Sequence, residues 1–143
     1  MSSPYDAGGP PSGAPGGKTS LGLESNVGAM LCYIADFLCC LGVILAIVFL
    51  VTEKENRFVK FHAVQSLFVF AILVVLSIIV EILATVLSIA HLELFSLMVS
   101  WGLGLIVLFI IVILLALGGI KAYGGQWFKL PLIGNFAWNI VNK

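Results

Sequence analysis

Residues 63–90 read AVQSLFVFAILVVLSIIVEILATVLSIA, and this stretch decides the fold. It is continuously apolar, with Glu81 as its one charge. A helix needs about 20 such residues to cross about 30 Å of hydrocarbon. A transmembrane strand needs about 10, alternating with period two, and no such alternation is present. Two further runs flank it, over residues 27–51 and 94–120, and each is long enough to span. The expected class is therefore an all-α integral membrane protein with three transmembrane helices over about 27–51, 63–90 and 94–120.

Composition supports that reading. Of 143 residues, 61% are hydrophobic and 10% charged. Soluble domains average roughly 45–50% and about 25%, and a water-soluble fold of this size has too little interior to hide the excess. Net charge is zero, so nothing points to nucleic acid. The three cysteines, Cys32, Cys39 and Cys40, share one run, which implies no disulfide framework.

Residues 1–26 differ from the rest. They hold four of the five prolines and six of the fifteen glycines, too little apolar surface to offset the entropy of ordering. A disordered tail is expected there, with the membrane domain over 27–143. The tail lacks the basic start and apolar run of a signal peptide.

Lys54, Arg57 and Lys60 lie between the first two runs, and Lys121, Lys129 and Lys143 follow the third. The turn near residues 91–93 has no Lys or Arg, and the tail has only Lys18. By the positive-inside rule, this places the loop and the C-terminus in the cytoplasm and the N-terminus outside, in the cell (inner) membrane.

After Pro131, apolar Ile133, Phe136, Ala137, Ile140 and Val141 recur at i+3/i+4 opposite Asn135, Asn139 and Asn142. That pattern predicts a short amphipathic helix over about 132–142, lying in the interface plane. Gly118, Gly119, Gly124 and Gly125 are expected to let the chain turn into that plane.

Two groups of residues are candidates for a site. Asp36 and Glu81 are the charges within the runs, and an ionisable group inside a span is a functional candidate. Counted from the cytoplasmic helix ends, they lie roughly 22 and 27 Å up, in the outer part of the bilayer. Cys32, Asp36 and Cys39 share a helical face but are too few for a closed metal site. The second group, Arg57, Lys60, His62, Gln65, Lys121, Trp127 and Lys129, lies at the cytoplasmic interface. These residues are candidates for headgroup or partner contacts. A His62–Ser66 pair at i+4 lacks an orienting acid and oxyanion donors, so no hydrolase is read. Ser96, Ser100 and Gly104, and Gly42 with Ala46, form small-residue faces suited to helix packing, within the chain or in an oligomer.

Two segments carry a resemblance. EKENRFVKFHAVQS over residues 53–66 and KAYGGQWFKLPLIG over 121–134 resemble the signatures of a family of small prokaryotic membrane proteins classed as a domain of unknown function. That family is related to the Tic-type chloroplast import component, and similar domains occur in magnetosome membrane proteins. Gln126 and Asn135 stand where the family carries acids. The resemblance implies an all-helical membrane domain with no enzyme activity and no cofactor. The expected function is a structural or interaction component that assembles in the membrane, with the lipid bilayer and a homo-oligomer or membrane-protein partner. The alternative is a translocation or transport pore lined by Asp36 and Glu81.

Overall fold

The computed structural model describes residues 17–38, 40–54 and 56–142. These form α1 (Ser25–Asp36), α2 (Cys40–Thr52), α3 (Arg57–Ile89), α4 (Glu93–Tyr123) and α5 (Gly134–Val141).

The first apolar run is not one helix. It stops at Asp36, and Phe37 and Leu38 close the last turn by donating to the carbonyls of Ile34 and Ala35. The chain then reverses. Gly42 lies against Asp36, and Gly28 faces Thr19 and the Phe49 ring, so α1 and α2 run antiparallel. Gly42 is what permits the tight tip, because a Cβ there would collide with the Asp36 backbone and carboxylate. Each arm, of 12 or 13 residues, is about 18–20 Å tall, well short of the roughly 30 Å of hydrocarbon. A single span over 27–51 is therefore replaced by a half-height hairpin.

α3 and α4 form the second, taller hairpin, of 33 and 31 residues, and both are long and apolar enough to cross a membrane. Their turn is a Schellman closure. His91 takes φ 58°, its N–H donates to Ser88, and the Leu92 N–H donates to Leu87. α4 ends in the same way. Gly125 takes φ 70°, with N–H donations from Gly125 to Ala122 and from Gln126 to Lys121. The turn out of α4 thus rests on Gly125. Gly118 and Gly119 do not turn the chain. They lie inside α4 and face Tyr33, which lets α1 approach.

The chain before α1 packs at the end where α2 meets α3. Ser20 donates through N–H and Oγ–H to Glu53 Oε1, at 2.7 and 2.8 Å. Asn56 caps α3 by accepting from the Val59 N–H, and its Nδ2 donates to Ser25 Oγ. Ser25 in turn donates to the Gly17 carbonyl at 2.6 Å. Residues 17–26, expected within the tail, are therefore ordered by named bonds, whereas residues 1–16 of that tail lie outside the described residues. The reversal also brings residues 17–24 to the same end as α5. The chain before α1 and the C-terminal segment therefore share one end of the helices rather than lying at opposite ends. α5 forms close to where the i+3/i+4 pattern predicts it.

Packing is uneven along the tall hairpin. Tyr33, Phe49, Phe58, Phe61 and Leu130 are fully buried where α1, α2 and α5 surround α3 and α4. Beyond the tip of the short hairpin, Val74, Val75, Ile78, Ile79, Ile82, Leu83 and Val86 of α3 are exposed.

Candidate functional site

The most elaborate polar arrangement is buried at the lower end. His62, in the second turn of α3, is fully buried. Its Nε2 lies 3.1 Å from the Gln126 carbonyl and its Nδ1 3.0 Å from the Tyr33 hydroxyl. A carbonyl only accepts, so Nε2 carries a proton, and in the neutral ring Nδ1 accepts from the Tyr33 O–H. Phe58, Phe61 and Tyr33 meet the imidazole edge-on, at centroid distances of 4.7, 5.1 and 5.7 Å.

One turn on, Gln65 donates from Nε2 to the Phe128 carbonyl at 3.1 Å and accepts through Oε1 from the Leu130 N–H at 2.8 Å. Its amide thus satisfies two backbone groups of a stretch that has no regular secondary structure. Trp127, between these anchors, packs on Phe58, Phe61 and Trp138. The two motifs that carry the family resemblance are therefore one unit, with side chains of the first holding the backbone of the second.

This revises part of the interfacial candidate set. His62 and Gln65 have no exposed surface and Trp127 very little, so they shape the face rather than touch headgroups. Tyr33 was missed by sequence reading because it lies within an apolar run, and its only signal is the hydroxyl. The cations remain at the surface. Arg57 is exposed and reaches Asn142 at 3.4 Å. Lys60, Lys121 and Lys129 are half-buried. Lys129 Nζ lies 4.5 Å from the Trp138 ring centroid and Lys121 Nζ 5.8 Å from that of Phe128. Glu53 stands four residues before Arg57 but shares no helix with it, because α2 ends at Thr52, and Glu53 takes Ser20 instead. Every Lys and Arg among the described residues, Lys18 included, lies at this end, while the opposite turn carries His91 and Glu93.

Asp36 and Glu81 do not come together. Asp36 is buried at the tip of the short hairpin, and neither carboxylate oxygen finds a hydrogen-bond partner. Ser66 of α3 lies beside it. Glu81 lies about 22 Å further along α3 than Ser66, exposed on its surface, and accepts from Ser100 Oγ at 3.3 Å. It lines open clefts with Ser77, Thr85 and Ser100. One acid faces the packed interior of the chain and the other its outer surface.

Both His62 nitrogens are engaged, and Ser66 Oγ donates to the Ala63 carbonyl, so no Ser–His pair exists. Among the described residues no three His, Cys, Asp or Glu side chains converge as metal ligands. Cys32 donates to the Gly28 carbonyl at 3.4 Å, and Cys39 lies outside the described residues. Of the small-residue faces, Ser96 is used within the chain, donating to the Ala84 carbonyl at 2.8 Å, while a Cβ at Gly104 would meet open space.

Residues 24–137 match a family described as the magnetosome magnetite crystal formation protein family. A UPF0132 membrane protein of Methanocaldococcus jannaschii is 42% identical over 121 residues, covering 85% of this chain and 92% of that protein. A second UPF0132 membrane protein of the same organism is 32% identical over 118 residues, covering 82% and 71%. One from Archaeoglobus fulgidus is 35% identical over 119 residues, covering 80% and 93%. None of these three is described as an import component. No solved structure matches the chain.

Proposed function

The chain belongs to the magnetosome magnetite crystal formation protein family, alongside the UPF0132 membrane proteins, and from that premise we propose that it is a non-enzymatic component that assembles in the plane of the cell membrane. Its basic end faces the cytoplasm and meets anionic headgroups. The tall hairpin crosses the bilayer, and the short one enters from the cytoplasmic side and returns.

One observation carries this reading. The lower half is closed and its polar groups are largely consumed in holding it together, whereas the upper half of α3 and α4 is a bare apolar pair of helices. A helix pair that exposes Glu81, Ser77 and Thr85 along one face is suited to contacts with another membrane protein. The grouping of every described Lys and Arg at one end supports the orientation. The exposed Arg57 beside half-buried Lys60, Lys121 and Lys129 supports headgroup contact.

Extraction of the full chain in native-lipid nanodiscs, followed by native mass spectrometry, tests it. An assembly of more than one chain, or a complex with a second membrane protein, is the expected result. A uniform monomer would sink the reading.

A further inference from the structure

The helices are not shared evenly between the two halves of a bilayer. Asp36, at the tip of the short hairpin, lies beside Ser66, which stands about 14 Å above Arg57 at the start of α3. That is close to the middle of about 30 Å of hydrocarbon. Below this level α1, α2, α3 and α4 pack around Tyr33, Phe49 and Phe61, and α5 lies against α3. Above it, among the described residues, only α3 and α4 continue. They rise about 35 Å further, enough to complete the crossing.

The short hairpin is surfaced for lipid. Phe37, Leu38, Leu41, Ile44 and Val51, from its tip along α2, are all more than half exposed. The Asp36 carboxylate is instead turned inward against Gly42, so the tip presents an apolar surface. α5 adds to the same side. With a turn of about 100° per residue, Gly134, Ala137 and Trp138 share the face toward the core. Asn135 and Asn139 point in a second direction, and Phe136 and Ile140 in a third. Phe136 and Ile140 are more than half exposed, which suits a helix seated in the basic-side leaflet.

A helix with its side chains is about 11 Å across and so occupies about 100 Å² of membrane. Four helices then displace about 400 Å² of the basic-side leaflet, and two displace about 200 Å² of the opposite one. α5 widens the larger section further at headgroup level.

We propose that the chain acts as a membrane wedge, enlarging the leaflet on its basic side and bending the bilayer so that this side becomes convex. The inference rests on the bilayer placement and orientation given above, not on assembly. Lipid closes against the protein in both leaflets, so a body with twice the area in one of them splays the surrounding lipids. A bilayer deforms to meet such a mismatch at a cost. In a flat membrane that cost is retained, and in one already curved with the basic side outward it is relieved. The chain therefore gathers on membrane of that curvature and, at high density, produces it. The shape belongs to a single chain, so the effect needs no partner.

A thin tube drawn outward from a giant vesicle of phosphatidylcholine and phosphatidylglycerol supplies the test, with the full chain reconstituted in both orientations. Asn139→Cys, labelled from outside with a membrane-impermeant dye, marks copies whose basic end faces out. His91→Cys, labelled in the same way, marks copies whose basic end faces in. Both positions are exposed, and the parent chain reports its native cysteines. Relative to a lipid dye, labelled Asn139→Cys is expected to be enriched at least two-fold in the tube and labelled His91→Cys to be depleted. Equal tube-to-vesicle ratios for the two would overturn the proposal, and so would the opposite sorting. A uniform monomer by native mass spectrometry removes the assembly reading and leaves the wedge standing. An assembly that fails to sort removes the wedge alone.

Discussion

The Tyr33 hydroxyl on α1 meets Nδ1 of His62 on α3 at 3.0 Å, while the other nitrogen of the same ring holds the Gln126 carbonyl beyond α4. Three parts of the chain, far apart in sequence, thus converge on one buried imidazole. Tyr33→Phe removes only the O–H and leaves Nδ1 without a donor. Hydrogen bonds between membrane helices average about 0.6 kcal/mol with a maximum near 1.7, and an orphaned buried acceptor adds to the loss. The expected destabilisation is about 1–2 kcal/mol, read by steric-trapping unfolding in bicelles. An unchanged unfolding free energy would show that the contact carries no weight.

Gln65 performs a different task, since its amide satisfies two backbone groups of a segment with no regular structure of its own. Gln65→Leu keeps the volume and removes both partners. The Phe128 carbonyl and the Leu130 N–H then lose their bonds, at a cost of about 2–3 kcal/mol. The loss is local, so residues 126–133 should exchange amide hydrogens faster and trypsin should cut sooner at Lys129. Exchange in α3 and α4 should stay as in the parent.

Gly118 and Gly119 are adjacent in sequence but differ in what a methyl group would meet. A Cβ on Gly118 would lie 2.5 Å from the Tyr33 ring, whereas on Gly119 the nearest atom is Tyr33 Cβ at 3.6 Å. The Tyr33 ring is fully buried and tied to His62, so it cannot yield. Gly118→Ala should cost about 1–3 kcal/mol through overpacking, and Gly119→Ala close to nothing. Gly104→Ala, which points into open space, is the control. Thermal melts of the three variants in one detergent rank them, and equal melting points would refute the packing geometry.

The contrast between these sites explains what the sequence made legible. The runs that became α3 and α4 were readable because a continuous apolar stretch of that length has one economical solution in lipid. α5 was readable from its i+3/i+4 pattern, since one of its faces stays polar. The reversal between α1 and α2 left no such mark, because both arms are apolar on most sides and an apolar run does not record a change of direction. Asp36 and Gly42 were the available signals, a charge and a missing side chain six residues apart in mid-run, but each is also compatible with a straight helix. The same blindness to depth put His62, Gln65 and Trp127 with the surface cations. Polarity shows that a side chain needs a partner and leaves open whether that partner is water, a headgroup or the chain's own backbone.

The reversal has a direct consequence for sidedness. With a single span over residues 27–51, Ser20 and Asn139 would lie on opposite sides of the membrane. With the half-height hairpin they lie on the same side, because Ser20 is bonded to Glu53 and α5 packs against α3. The charge distribution favours the second arrangement, since it moves Lys18 to the side of the other described Lys and Arg, where the positive-inside rule is followed more completely. Single cysteines at Ser20, Asn139 and His91, all exposed, separate the two. A membrane-impermeant maleimide added to right-side-out vesicles should label His91→Cys and leave Ser20→Cys and Asn139→Cys untouched, and inverted vesicles should give the converse. Labelling of Ser20→Cys together with His91→Cys would restore the third span and remove the half-height hairpin.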